Sequence, residues 1–177
     1  MTISLGAKRI EYPKLRLTAG ITLITGASGV GKTTLLRSIH GELQPEGEIP
    51  WSKGSRTSLM PQQNTWVPYL TMQEHLKVCS VQVDGLEALG LQGLTDKYPH
   101  ELSVGQLQRF SLVSALSVNA DYYLLDEPSS ALDTDLADQV FIWLDQQKQQ
   151  KPEASILVVT HDLRMMEYFK SSNRWDL

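Results

Sequence analysis

The sequence predicts an α/β fold with a mainly parallel sheet flanked by helices, and three short runs carry that prediction. "ITLIT" (21–25), "YYLLD" (122–126) and "SILVV" (155–159) are apolar and show no alternating polar face. Strands of that kind are buried on both sides, as in a parallel sheet. Each is followed by a stretch with helical spacing, which supplies the covering layers.

The elements follow in order. "ITLIT" ends in a glycine cluster, and "KTTLLRSIH" beyond it has helical spacing. "RTSLMP" is a weaker strand, closed by Pro61. "TMQEHLKVCS" predicts a helix, with Thr71 as N-cap and Glu74 three residues later, the pattern of a capping box. "DGLEALGLQGL" predicts a shorter helix interrupted by Gly90 and Gly93, and "VGQLQRFSLVSALS" a longer one. "DTDLADQVFIWLDQQKQQ" is amphipathic, with acids in its first turn and Lys148 near its end, as the helix dipole favours. "DLRMMEYFK" predicts a last helix after the third strand, and "NRWDL" a final strand.

Length and composition bound the function. The 177 residues suit a single domain spanning 1–177. Hydrophobic residues make up 41% and charged residues 20%, in the range of soluble globular proteins. A net charge of -4 argues against a general nucleic-acid-binding surface. The single cysteine, Cys79, excludes an internal disulfide and a cysteine-rich metal site, and it fits a reducing compartment. No apolar run approaches the roughly 18 residues of a membrane span. The first residues, "MTISLGAKRIEYPK", lack the apolar core of a signal peptide. Action at a membrane therefore requires docking to something else.

The strongest chemical signal is "GASGVGKT", Gly26 to Thr33, which fits G-x-x-x-x-G-K-[ST] between a predicted strand and a predicted helix. The glycines let backbone N–H groups cradle phosphate oxygens, and the helix N-terminus adds partial positive charge. Lys32 reaches the β- and γ-phosphates, and the Thr33 hydroxyl is a Mg²⁺ ligand. In "YYLLDEP" a buried strand ends in two carboxylates, Asp126 and Glu127. Open α/β sheets bind ligands beyond the carboxyl ends of their strands, so both acids emerge beside the phosphates. One acid suits Mg²⁺, and its neighbour suits polarising an attacking water. "VVTHD" places His161 after the third strand, at the same rim.

Together "GASGVGKT", "LSVGQ", "YYLLDEP", "SSALD" and "VVTHD" resemble, in order and spacing, the nucleotide-binding domain of ATP-binding cassette (ABC) transporters. The likeness runs from about Gly20 to Asp162. It implies a P-loop NTPase fold with a small helical subdomain, about 65–117, inserted in the core. It also implies a reduced antiparallel β region, since the segment between Thr33 and Gln62 is short. Gly26, Ala27, Ser28, Gly29, Val30, Gly31, Lys32, Thr33 and Thr34 then form the ATP-binding Walker A loop. Asp126 becomes the Walker B carboxylate, Glu127 the general base, and His161 the switch histidine on the γ-phosphate. Gln62, chosen over Gln63 by its spacing to "PYLT", becomes a contact to Mg²⁺ and the attacking water. The resemblance assigns Mg²⁺ to Thr33, Gln62 and Asp126. Ser130 to Asp133 resemble the D-loop. "LSVGQ" resembles the signature, whose Ser103, Val104, Gly105 and Gln106 grip ATP bound by a second copy.

Three departures matter. Val104 replaces a glycine, and valine disfavours positive φ, so Val104 is expected to start the helix normally and leave Ser103 and Gly105 in place. Ser114 stands where many members carry arginine. No aromatic sits well for stacking adenine. Tyr12 is expected to be a packing residue. Trp66, Val67 and Tyr69 suit either local packing or a groove for a membrane subunit. The resemblance implies an ATPase subunit that binds ATP and Mg²⁺ at the cytoplasmic face of a membrane. It would work as a head-to-tail homodimer on a separate integral membrane permease, without nucleic acid. The alternatives are a soluble non-transport ABC ATPase and an ATP-dependent regulatory module.

Overall fold

A computed structural model describes residues 1–5, 8–47, 51, 54–63, 65–79 and 83–177. The chain begins with two strands, β1 (Thr2–Leu5) and β2 (Lys8–Glu11), followed by β3 (Gly20–Thr25) and helix α1 (Lys32–Ile39). Next come β4 (Pro45–Glu46), β5 (Thr57–Met60), α2 (Met72–Val78), α3 (Val83–Ala88) and α4 (Val104–Ser117). The last part is β6 (Tyr122–Asp126), α5 (Thr134–Gln150), β7 (Ser155–Val159), α6 (Leu163–Tyr168) and β8 (Asn173–Asp176).

Five strands form one sheet in the order β5-β6-β7-β3-β8, with every neighbouring pair parallel. A separate antiparallel sheet, β2-β1-β4, is small, as its two-residue β4 requires. Strands β1 and β2 are not in the sequence reading. Their only signal is a brief alternation that buries Ile3 and Ile10, too short to stand out.

The central strands alternate their side chains between two cores. Leu23, Tyr123, Leu125, Ile156 and Val158 join a cluster with Phe110 and Val113 of α4 and Val140 and Leu144 of α5. Ile24, Leu124, Leu157 and Val159 point the other way, onto Leu35 and Leu36 of α1 and onto Ile3 and Ile10 of the small sheet. This explains why those strands are apolar throughout: a period-two pattern with both faces covered leaves no polar face.

Local signals set the helix starts. Thr71 caps α2 in a full capping box with Glu74. α3 ends at Ala88, before Gly90 turns the chain with φ 62. Ser114 donates its hydroxyl to the Phe110 carbonyl within α4.

Candidate nucleotide site

Because the sheet is parallel, β3, β5, β6 and β7 all end at one edge. The segments leaving that edge are the 26–31 loop, the Gln62 loop, Glu127 and the 160–162 turn. A cleft of about 430 Å³ lies there. Ser28, Gly29, Gly31, Lys32, Thr33 and Thr34 line one side of it, and Gln62, Asp126, Glu127 and His161 line the other. Ile10 and Val159 complete the wall. Ile10 is absent from the sequence reading, since its place depends on the small sheet folding over the loop.

The loop is held from within and from below. Gly31 is the N-cap of α1 at φ 112, a conformation closed to ordinary residues, and the helix start has no side-chain cap. Uncapped first-turn amides facing a cleft suit an anion. The Lys32 ammonium donates to the Gly26 and Ala27 carbonyls at 2.9 Å each, so it arches over the loop. These two residues and Val30 belong to the loop but do not line the cleft. Tyr12 lies underneath, 6% exposed, and donates its hydroxyl to the Gly31 carbonyl at 2.9 Å. Burial pushes that hydroxyl up to about 12, so it stays a donor. A ring buried there supports the loop and has no face for stacking a base.

The carboxylates face the loop. Thr33 donates its hydroxyl to Asp126 Oδ2 at 2.7 Å. Burial raises the Asp126 carboxyl above its ordinary range, opposed by the Thr33 hydrogen bond and by Lys32. Burial also raises Glu127, opposed by the His161 amide and ring, while Asp126 pushes it further up. His161 N–H donates to Glu127 Oε2 at 3.3 Å, and its ring Nε2 lies 3.5 Å from Oε1. Among the described residues Glu127 is the only non-glycine with positive φ, at 54. That conformation costs roughly 1–2 kcal/mol, so its surroundings must hold it.

Ser103, Val104, Gly105 and Gln106 lie outside the cleft, at the start of α4. Ser103 is the N-cap, with φ -69 and ψ 159, and shares a capping box with Gln106. Val104 opens the helix without positive φ and is 73% exposed. The valine therefore leaves the serine cap intact. Asp133 caps α5, accepting from the Leu136 amide at 2.9 Å. Two further residues tie the rim together: Ser129 donates to Asp162 Oδ2 at 3.0 Å, and Thr160 accepts from the Asp162 amide.

Beyond the cleft, Trp66 packs against the larger core, edge-on to His75. The His75 ring donates through Nδ1 to the Thr71 carbonyl and accepts the Val67 amide on Nε2. Tyr69 is 79% exposed. Cys79 is half-buried, and burial raises its thiol pKa.

A parallel-sheet domain with a glycine-rich loop facing two strand-end carboxylates defines a nucleotide-binding P-loop protein. The ABC transporter family model matches residues 14–130, and the chain belongs to that family, whose cassettes bind ATP. The chain is 32% identical over 167 residues to the sulfate/thiosulfate import ATP-binding protein CysA of Mycobacterium tuberculosis, covering 82% of this chain and 47% of that protein. It is 36% identical over 169 residues to the Fe(3+) ions import ATP-binding protein FbpC 2 of Haemophilus influenzae, covering 80% and 47%. The chain thus spans about half the length of these curated relatives. Among solved structures it is similar to RNase-L Inhibitor, with TM-score 0.82 and 31% identity over 94% of this chain and 34% of that one. A dimeric ATP-binding cassette in a post-hydrolysis state, bound to ADP and Pi, shares the fold with TM-score 0.78, 22% identity and coverage of 94% and 87%. Among the described residues no helix is long and apolar enough to cross a membrane.

Proposed function

We propose that this chain is the ATP-binding and ATP-hydrolysing part of an ABC transporter, driving a separate integral membrane permease through ATP-dependent head-to-tail dimerisation. The observation that carries the reading is one cleft that gathers six residues of the 26–34 loop with Gln62, Asp126, Glu127 and His161. The import ATP-binding relatives support the transport role.

In this reading the loop amides and α1 hold the phosphates. Lys32 exchanges its two carbonyl partners for phosphate oxygens, as a charge-assisted contact favours. Thr33, Asp126 and Gln62 present hard oxygen donors, and Thr33 and Asp126 already converge to 2.7 Å, so the set fits Mg²⁺. Bound there, Mg²⁺ would neutralise charge on the phosphates. Glu127 accepts the proton of the attacking water, and its raised pKa suits that role near neutral pH. His161 holds the Glu127 carboxylate through its amide and faces the γ-phosphate with its ring.

The signature residues Ser103, Val104, Gly105 and Gln106 contribute to a second copy's nucleotide. The Ser103 hydroxyl accepts from Gln106 N–H and keeps its proton for a phosphate oxygen. Asp133 belongs to the D-loop between the two sites. The segment about 65–117 acts as the helical subdomain, with the exposed Tyr69 on the permease-facing side and Trp66 packed inward behind it. The chain then works at the cytoplasmic face of the membrane, bound through the permease and not to nucleic acid.

The test is phosphate release with Mg²⁺ and ATP from wild type and Lys32→Ala, with gel filtration of Glu127→Gln at saturating ATP. Turnover lost in Lys32→Ala and a dimer in Glu127→Gln are expected. Equal phosphate release from wild type and Lys32→Ala would sink the enzymatic reading, and a monomeric Glu127→Gln protein the sandwich. Recovery of the tagged chain without any integral membrane partner favours a non-transport ATPase.

A further inference from the structure

Glu127 sits in a left-handed conformation, so something must hold it there. Its amide donates to the Val159 carbonyl at 2.9 Å, which ties one side to β7. The other side is held by a residue remote in sequence. Gln108, on the second turn of α4 and 5% exposed, donates from Nε2 to the Glu127 carbonyl at 2.6 Å. The same nitrogen donates to Ser130 Oγ at 3.2 Å, and Oε1 accepts the Ala131 amide at 3.0 Å. The amide orientation follows from its partners: a carbonyl needs a donor and an N–H needs an acceptor. One side chain therefore satisfies three groups of the 127–131 turn. The Ser130 hydroxyl closes the turn by donating to the same Glu127 carbonyl at 3.1 Å.

The helix carrying Gln108 is seated on this turn at a second point. A Cβ at Gly105 would lie 2.9 Å from the Ala131 carbonyl oxygen and 3.2 Å from Leu132. The helix start approaches the turn that closely only because residue 105 is glycine. Ser103 is two residues earlier, at the N-cap.

We infer that Gln108 is a positioning residue for hydrolysis. Its amide holds the Glu127 backbone in its left-handed turn and fixes that turn to the start of α4, so the aim of Glu127 and the placement of Ser103 are set together. The inference rests on the proposed role of Glu127. It gives one rigid unit two tasks: Glu127 serves the chain's own cleft, and Ser103 serves the nucleotide of a second copy. Such a link needs no moving part beyond the side chain's three hydrogen bonds.

The test is Gln108→Met in the full chain. Methionine keeps length and apolar volume while removing all three hydrogen bonds. Amide exchange at Ala131 is expected to speed up about tenfold or more, with Leu124 and Leu157 unchanged, because only the local opening is eased. In steady-state ATPase assays kcat is expected to fall about tenfold or more, with equilibrium binding of ATP to the chain's own cleft within about twofold, since Gln108 does not line that cleft. Unchanged exchange at Ala131 overturns the clamp. Faster exchange with wild-type kcat overturns the positioning role. A joint fall in kcat, nucleotide affinity and core protection overturns it too, because that marks general loss of fold. An inactive wild type defeats the ATPase reading and the positioning role with it, and the exchange measurement then still decides whether Gln108 holds the turn.

Discussion

Replacing Gly31 with alanine should damage the loop in a way that Tyr12→Phe partly repairs. At φ 112 any L side chain is strained, which costs about 1–3 kcal/mol. The added Cβ would stand 2.7 Å from the Tyr12 hydroxyl oxygen and 3.1 Å from two Ile10 carbons. Overpacking of that kind costs about 1–3 kcal/mol. The sum is about 2–6 kcal/mol of destabilisation. For a chain of this size that lowers Tm by about 4–24 °C. Tyr12→Phe alone should cost only about 0.5–1.5 kcal/mol. Its partner, the Gly31 carbonyl, still accepts the Leu35 amide at 2.9 Å. In the double variant the obstructing oxygen is gone, so at least about 1 kcal/mol of the packing term should return. Denaturant unfolding of wild type, both single variants and the double variant measures the coupling. Additivity within about 0.3–0.5 kcal/mol would refute the reasoning, because it would mean that Tyr12 does not lie against the loop. A loss of ATP affinity beyond about tenfold in Tyr12→Phe would equally contradict a purely supporting role.

Other outcomes follow from the same geometry. Burial raises the Glu127 pKa in the fold, so the penalty for ionising it grows as pH rises from the unfolded value of about 4.3 to the folded pKa and stays in full above it. Glu127→Gln should therefore melt higher than wild type at pH 7.5, with the gap closing toward pH 4; a constant gap across that range would contradict this. The same variant should lose about 10²–10⁴ in kcat if Glu127 is the base. Because Val104 leaves the Ser103 cap intact, Val104→Gly should keep turnover within about threefold, while Ser103→Arg should lower it about a hundredfold. A tenfold gain in Val104→Gly would show that the valine misdirects the serine. Gly105→Ala should lower kcat by pushing α4 off the 127–132 turn, where its Cβ would stand 2.9 Å from the Ala131 carbonyl oxygen, measurable in a steady-state ATPase assay.

Much of the site was legible because its chemistry is local. The loop glycines, Lys32 and Thr33 lie in one short run, Asp126 ends a buried strand, and Glu127 and His161 each follow one. A parallel sheet brings such strand ends to one edge whatever the connections between them. The capping box at Thr71 was equally readable, since it closes within four residues; the one at Ser103 emerged only from the structure. The helical reading of "LSVGQ" survived its valine because the first helical position tolerates a β-branched residue. Strands β1, β2 and β4 were not readable, being too short for periodicity to speak.

The sequence alone determined the order of the helices and of the parallel strands, and the loop that faces phosphate, because these depend on residues near one another in the chain. Tertiary structure decided what long-range approach decides. Tyr12 was set under Gly31, 19 residues away, and Ile10 in the cleft wall. Gln108 was brought to Glu127 and Ala131, 19 and 23 residues away. In the chain Gln108 is one polar residue in a helix, with nothing to mark it. Only the packing of α4 against the end of β6 buries it, and burial obliges its amide to find three partners at once.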